Sequence, residues 1–159
     1  AITLRGTQTN PPWHLDRIDQ RSPNLDQSFR YDLTGDGVHA YVIDTGIRVS
    51  HSEFGGRASA DADFITPPRG ARDGNGHGTH VAALLGGSTF GVAKRVRIHA
   101  LRVLDDQGLG SWSSVLAALD WVVQHGSRPG VVNMSLGGDR NPGLDRVVRR
   151  CIRAGYPCV

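Results

Sequence analysis

Lysine is almost absent from this chain: Lys94 is the only one among 18 basic residues in 159. The arginines are scattered (Arg5, Arg17, Arg57, Arg102, Arg140), with only short doublets such as Arg149-Arg150, and the formal net charge is +3. A nucleic-acid partner calls for a clustered basic stripe, so that class is disfavoured. No apolar run reaches the length of a membrane span, which argues against a membrane partner. The start, Ala1-Ile2-Thr3-Leu4, lacks the basic-then-apolar pattern of a signal peptide and suits a mature end left by processing. Cysteine is scarce. Cys151 and Cys158 form no metal-ligand pattern; either they pair, through a link from a helix's last turn to the next strand whose geometry the sequence leaves open, or, the preferred expectation, they are two buried thiols. Two cysteines say little about redox compartment. Internal repeats and low-complexity tracts are absent as well.

What is present is a globular composition: 38% hydrophobic, 21% charged and 21 glycines. A chain of this length is one domain or a large piece of one, and buries roughly two-thirds of its unfolded surface. Residues 1–34 read as an irregular N-terminal arm punctuated by Asn10-Pro11-Pro12 and Ser22-Pro23-Asn24. A β-branched apolar run, Val38 to Ile43, then halts at Asp44-Thr45-Gly46, the pattern of a buried strand ending in a polar turn. The stretch from Gly55 to Gly76 reads as a glycine-rich, charged loop, followed by a helix from about His77 to Leu85 and a strand from Val96 to Val103.

Trp112, Val115, Leu116, Leu119, Val122 and Val123 fall on one helical stripe behind Ser111 as cap. Gly130 to Leu136 is another strand, and Leu144, Val147, Val148, Cys151 and Ile152 repeat the helical stripe before Gly155 stops it. Pro157-Cys158-Val159 opens a further strand. Strands alternating with helices predict an α/β fold with a mostly parallel sheet.

In such sheets reactive groups gather beyond the carboxyl ends of the strands, where Asp44 lies. An aspartate there can orient an imidazole; by itself it equally suits an Asx-type turn that only caps the strand. The second constellation runs from Asp73-Gly74-Asn75-Gly76-His77 to Gly78-Thr79-His80. Glycines flank His77, leaving space for close packing, and the positive end of a helix favours the neutral imidazole that a general base must present. A metal reading of His77-x-x-His80 is weaker, because there is no HExxH, no nearby cysteine, and no ligand spacing among His14, His39, His51, His99 and His125.

Val42-Ile43-Asp44-Thr45-Gly46, His77-Gly78-Thr79-His80-Val81-Ala82 and Asn133-Met134-Ser135-Leu136-Gly137-Gly138 occur in the order and context typical of subtilases. Trp13 with Leu15 to Gln20, Gly91-Val92-Ala93 and Leu101 to Leu104 are similar to the proteinase K and aqualysin branch. The resemblance implies the N-terminal portion, residues 1–159, of one catalytic domain with a three-layer fold, incomplete in this chain. It implies a secreted serine endopeptidase acting on protein or peptide substrates through a triad in chain order Asp, His, Ser. Asp44 would be the orienting acid and His77 the base. Gly108, Leu109 and Gly110 would pair with an extended substrate. Ser135, Leu136 and Gly137 would form the opposite wall, and Leu104 and Trp112 an apolar pocket, unless these two merely pack in the core.

The resemblance also implies a calcium site at Asp16, Asp19, Gln20, Asp26 and Ser28, against the alternative of an ordinary solvated loop. Gly74 and Asp106 stand where some relatives carry half-cystines. The family's oxyanion asparagine and serine nucleophile would follow Val159, in a C-terminal remainder that is a separate or missing segment. Ser111, Ser113, Ser114 and Ser135 occupy a cap, a helix and a cleft wall rather than a strained turn, so the 159 residues alone are expected to be inactive. A non-catalytic peptide-binding module of the same fold would also explain the missing serine. An aspartic peptidase shares Asp44-Thr45-Gly46, but the helical stripes and His77 argue against it.

Overall fold

A computed structural model describes residues 6–159; the Ala1–Leu4 segment read as a processed end lies outside them. Six strands and four α-helices follow in chain order. These are β1 (Gly6–Thr9), α1 (Trp13–Ile18), β2 (Ser28–Tyr31), β3 (His39–Asp44), β4 (Ala58–Asp63), α2 (His77–Gly86), β5 (Arg97–Arg102), α3 (Trp112–His125), β6 (Gly130–Asn133) and α4 (Pro142–Arg153).

The central sheet runs in the order β4-β5-β3-β6, and every pairing is parallel. A last extended segment joins beside β6: Val132 N donates to Pro157 O (2.8 Å) and Val159 N to Val132 O (3.0 Å). The strand expected at Pro157 is therefore present as a short parallel partner. Burial on both faces explains why Val38 to Ile43 reads as a continuous apolar run. Tyr41 and Ile43 point to the face that packs with Leu101, Val103, Val132 and the buried stripe of α3 (Val115, Leu119, Val122). Ala40 and Val42 point to the other face, with Ile98, Ala100, Ile47 and Ala82 of α2. Helices thus cover the sheet from both sides, giving three layers.

The helices start and stop where their sequences dictate. Ser111 Oγ accepts the Ser114 amide at 3.2 Å, and Asn141 Oδ1 accepts those of Gly143 (2.9 Å) and Leu144 (3.2 Å), with Pro142 opening α4. Gly155, at φ +90°, reverses the chain after α4.

Two expectations need correction. The arm within 1–34 is not irregular. β1 and β2 form an antiparallel pair, and α1 lies between them in sequence. The buried Asp16 carboxylate organises this unit by accepting the amides of Asp26 (3.1 Å) and Gln27 (2.8 Å). The only lysine fastens it to the body: Lys94 Nζ donates to the carbonyls of Ser88, Thr89 and Gly91 while lying 5.6 Å from the Phe29 ring centroid. The Gly55–Gly76 stretch, read as loop, contains the edge strand β4. Its sequence, Ala-Ser-Ala-Asp-Ala-Asp, alternates with period two but carries none of the β-branched residues that usually mark a strand.

At the end of β5 the Arg102 guanidinium, 1% exposed, meets the equally buried Asp63 carboxylate at 3.1 Å. Removing one partner strands the other charge out of water. Arg102→Ala should therefore destabilise the fold by about 3–5 kcal/mol, read from chemical denaturation. Replacing both partners by apolar residues should cost much less.

Candidate active site

Asp44 is the last residue of β3 and His77 the first of α2, so both stand on the carboxyl rim of the parallel sheet. Asp44 is fully buried and accepts the Thr45 amide at 2.6 Å. Its two oxygens lie 2.8 and 3.0 Å from His77 Nδ1. A carboxylate there fixes Nδ1 as the protonated nitrogen and leaves Nε2 as the lone-pair acceptor. The His77 side chain is 48% exposed, and no described residue hydrogen-bonds to its Nε2.

The loop before α2 holds this pair in register. Thr45 Oγ donates to Asp73 Oδ1 (2.9 Å) and accepts the Gly78 amide (2.9 Å), tying strand end to helix start. A side chain at Gly78 could not fit, because its Cβ would fall 2.2 Å from Gly46 O and 3.1 Å from Asp44 Oδ1. Asp73 caps the helix through the amides of Asn75 (3.0 Å), Gly76 (2.8 Å) and Thr79 (2.9 Å) and the Thr79 hydroxyl (2.5 Å). Burial pushes the Asp73 carboxyl upward, but these donors outweigh it and hold it below the ordinary carboxylate value. His80 faces away, into a separate cavity shared with Arg48, His51 and Phe90.

A groove of about 530 Å³ is lined by Leu104, Gly108, Leu109, Gly110, Trp112, Leu136 and Gly137, together with Ser111, Val115, Gly138 and Asp139. The structure thus brings seven of the eight expected cleft residues together. Ser135 is the exception: it lies on the rim of a different, apolar groove with Val131 and Asn133, and its hydroxyl accepts from Asn133 Nδ2 at 2.9 Å. Sequence reasoning missed Gly138, which packs under Trp112; a Cβ there would meet the indole at 2.7 Å. Leu104 and Gly110 form an antiparallel bridge closed by a tight turn, with Asp105 Oδ1 accepting the amides of Gln107 and Leu109 (both 2.9 Å). The hydrogen bonds flank this pair, as in Asp105 N to Leu109 O (2.8 Å), so the main-chain groups of Gly110 point away from Leu104.

Gly74 and Asp106, the pair of positions that the resemblance singled out, do stand face to face, a Cβ on Gly74 falling within 2.3 Å of Asp106 Oδ1. Ionic links occupy the position instead: Asp106 pairs with Arg69 (2.6 Å) and Arg102 (3.3 Å), and Asn75 Nδ2 donates to Asp106 O (2.9 Å).

In the Asp16–Ser28 loop, Asp16 spends both oxygens on amides, while Asp19 accepts the Arg30 amide with Oδ2 (2.7 Å) and keeps Oδ1 buried without a partner. Asp26 Oδ2 is paired with Arg30 at 2.8 Å, and Gln20 Nε2 donates to Asn24 O. No set of three acidic, histidine or cysteine side chains in metal-holding geometry occurs among the described residues.

The carboxyl rim of the parallel sheet thus holds a buried carboxylate that orients an exposed imidazole, a geometry in which Nε2 can serve as a base. The subtilase family model matches residues 35–154, and the chain belongs to that family. It is 55% identical over 152 residues to an extracellular serine proteinase of Thermus sp. (strain Rt41A), covering 96% of this chain and 37% of that protein. It is 42% identical to proteinase T of Parengyodontium album, covering 98% of this chain and 54% of that protein. The crystal structure of a cold adapted subtilisin-like serine proteinase superposes with a TM-score of 0.91 at 48% identity, over 94% of this chain and 55% of that one. The chain thus spans from about a third to about half of these relatives.

The sign of the Asp73 effect is fixed by its lowered value. On unfolding, the carboxyl returns to the ordinary range near about 3.9, so the unfolded chain binds the proton first. The stabilisation is complete above that range and lost as pH falls through it towards the folded value. Asp73→Asn should lose about 1.5–3 kcal/mol at neutral pH and show a flatter acid limb in unfolding curves collected from neutral pH downwards.

Proposed function

We propose that this chain supplies the acid, the base and part of the substrate cleft of a secreted serine endopeptidase, whose nucleophile and oxyanion donor come from sequence outside these 159 residues. The observation that carries this reading is the 2.8 Å contact between His77 Nδ1 and Asp44, with Nε2 turned outward. In the proposed reaction Nε2 takes the proton of the serine hydroxyl as its oxygen attacks the scissile carbonyl. Asp44 holds the ring and balances the imidazolium. The same nitrogen then returns the proton to the leaving amine.

An extended peptide would lie along Gly108 to Gly110 as an added strand, using the outward main-chain groups of Gly110. Leu136 and Gly137 would bound it on the other side, and an apolar side chain would enter between Leu104 and Trp112. Without a serine placed as nucleophile, the 159 residues alone are proposed to hydrolyse nothing. Secretion is supported by the name of the Thermus relative; among the described residues no helix is long and apolar enough to cross a membrane.

In the full protease, Asp44→Asn should lower kcat about 10⁴-fold with little change in KM, measured on a chromogenic peptide. His77→Ala should be at least as damaging. Retention of a tenth or more of the activity in either variant would sink the assignment.

Calcium is proposed at the Asp16–Ser28 loop. Asp19 Oδ1 supports it, as a buried anionic oxygen that lacks a partner, and Asp26 and the Ser28 hydroxyl would complete a hard-oxygen set if Arg30 swung aside. Saturating calcium, at about a hundredfold excess over Kd, should raise the unfolding temperature by about 5–10 °C, and Asp19→Asn should abolish that shift. An unfolding temperature indifferent to calcium and chelator would leave Arg30 as the permanent counter-charge.

A further inference from the structure

Cys151 and Cys158 have no part in the cleft. Cys151, near the end of α4, is wholly buried in the core between the sheet and α3. Cys158 lies in the extended segment beside β6, half-buried and packed against the same cluster. The turn between them is closed by two main-chain bonds, Gly155 N to Ile152 O (2.9 Å) and Tyr156 N to Cys151 O (3.1 Å). The second lands on the carbonyl of Cys151 itself. Alternate residues of an extended segment share a face, so Cys158 points the same way as the buried Tyr156, towards α4. Cys158 pairs with Val132, whose side chain lies in the same cluster as Cys151, so both thiols meet on the face covered by α4, and the Cys158 thiol donates to Tyr156 O at 3.5 Å.

We propose that Cys151 and Cys158 are a disulfide-forming pair, with Cys158 the attacking thiol and Cys151 the resolving one, whose bond staples α4 to the strand beside β6. The chemistry follows from their surroundings. Cys158 is the more accessible of the two, and the neighbouring Cys151 thiol holds the Cys158 thiol below its ordinary value. The Cys158 neighbour and burial push the Cys151 thiol up.

The Cys158 thiolate attacks one sulfur of a small-molecule disulfide such as oxidised glutathione and expels one thiolate. Cys151 then gives its proton to water or buffer, attacks the Cys158 sulfur of the mixed disulfide, and expels the second thiol. The protein loses two electrons and two protons, and the reagent gains both as two free thiols. The staple would fix the segment whose Val159 amide and carbonyl bond Val132 O (3.0 Å) and Met134 N (2.7 Å), just where β6 leads into the cleft wall.

Peptide mapping after equilibration with oxidised glutathione, acid quench and alkylation tests this on the protein as isolated. The expected product is a cross-linked peptide lacking two hydrogens, alkylated only after reduction. Cys151→Ser should stop at a stable Cys158–glutathione adduct, and Cys158→Ser should leave Cys151 unmodified. Reduction of the wild type should speed amide exchange at Tyr156 and Val159 by roughly tenfold or more. Two freely alkylated thiols in the wild type, a glutathione adduct that persists there, or exchange rates indifferent to reduction would overturn the proposal.

Discussion

A carboxylate buried at the end of a strand is costly unless every oxygen is answered, and the architecture around Asp44 is the answer. The side chain is 0% exposed, and its partners are one backbone amide and one imidazole. Neither can shift by much. The amide belongs to a turn whose Gly46 has φ +101° and would strike Ala71 O with any side chain. The imidazole belongs to a helix that approaches the same turn closely enough to require glycine at position 78. Strand end, turn and helix start therefore form one rigid body, and the geometry a base needs is inherited from packing rather than from a flexible side chain finding its partner.

The sheet carries this unit with its two faces treated differently. Towards α3 and α4 the large residues Tyr41, Ile43 and Tyr156 interlock, and the Tyr41 hydroxyl accepts the Ser127 amide at 2.6 Å. Towards α2 most strand residues are small, Ala40, Val42 and Ala100 beside the larger Ile98, which lets the helix that begins with His77 sit close. Gly86 continues the trend: a Cβ there would lie 2.4 Å from Val96. Small residues in the α2 interface are thus what bring His77 down to the level of Asp44.

Much of this was legible in the sequence because it is periodic or carries a motif. β3, β5, α3 and α4 follow from apolar spacing, and the Asp44–His77 pairing follows from two motifs whose glycines make sense only with close packing. What escaped the reading depends on polar groups satisfying polar groups across sequence distance. The N-terminal unit is organised by a buried carboxylate accepting amides ten and eleven residues away, and no apolar period announces that. β4 escaped because an alternation of alanine with serine and aspartate looks like loop composition, although Asp63 is there to meet Arg102. Ser135 was assigned to the cleft by motif; its side chain instead turns to Asn133, because consecutive residues along an extended wall face opposite ways.

The Gly74–Asp106 junction shows how the same spatial relation can be held by different chemistry. A disulfide there would fix two loops irrespective of salt or pH. The ionic substitute is graded. Arg69 is 56% exposed and its pairing with Asp106 is screened by solvent, so it contributes little. Arg102 is buried but already committed to Asp63 at 3.1 Å, leaving only a longer contact for Asp106 at 3.3 Å. The direct tie between the His77 loop and the cleft turn is then the single amide bond from Asn75 to Asp106 O. Since Asn75 Oδ1 also accepts the His77 amide at 3.2 Å, one side chain bridges the turn at Asp106 and the start of α2. The turn and the helix start are thus joined by hydrogen bonds through Asn75 rather than by covalent structure.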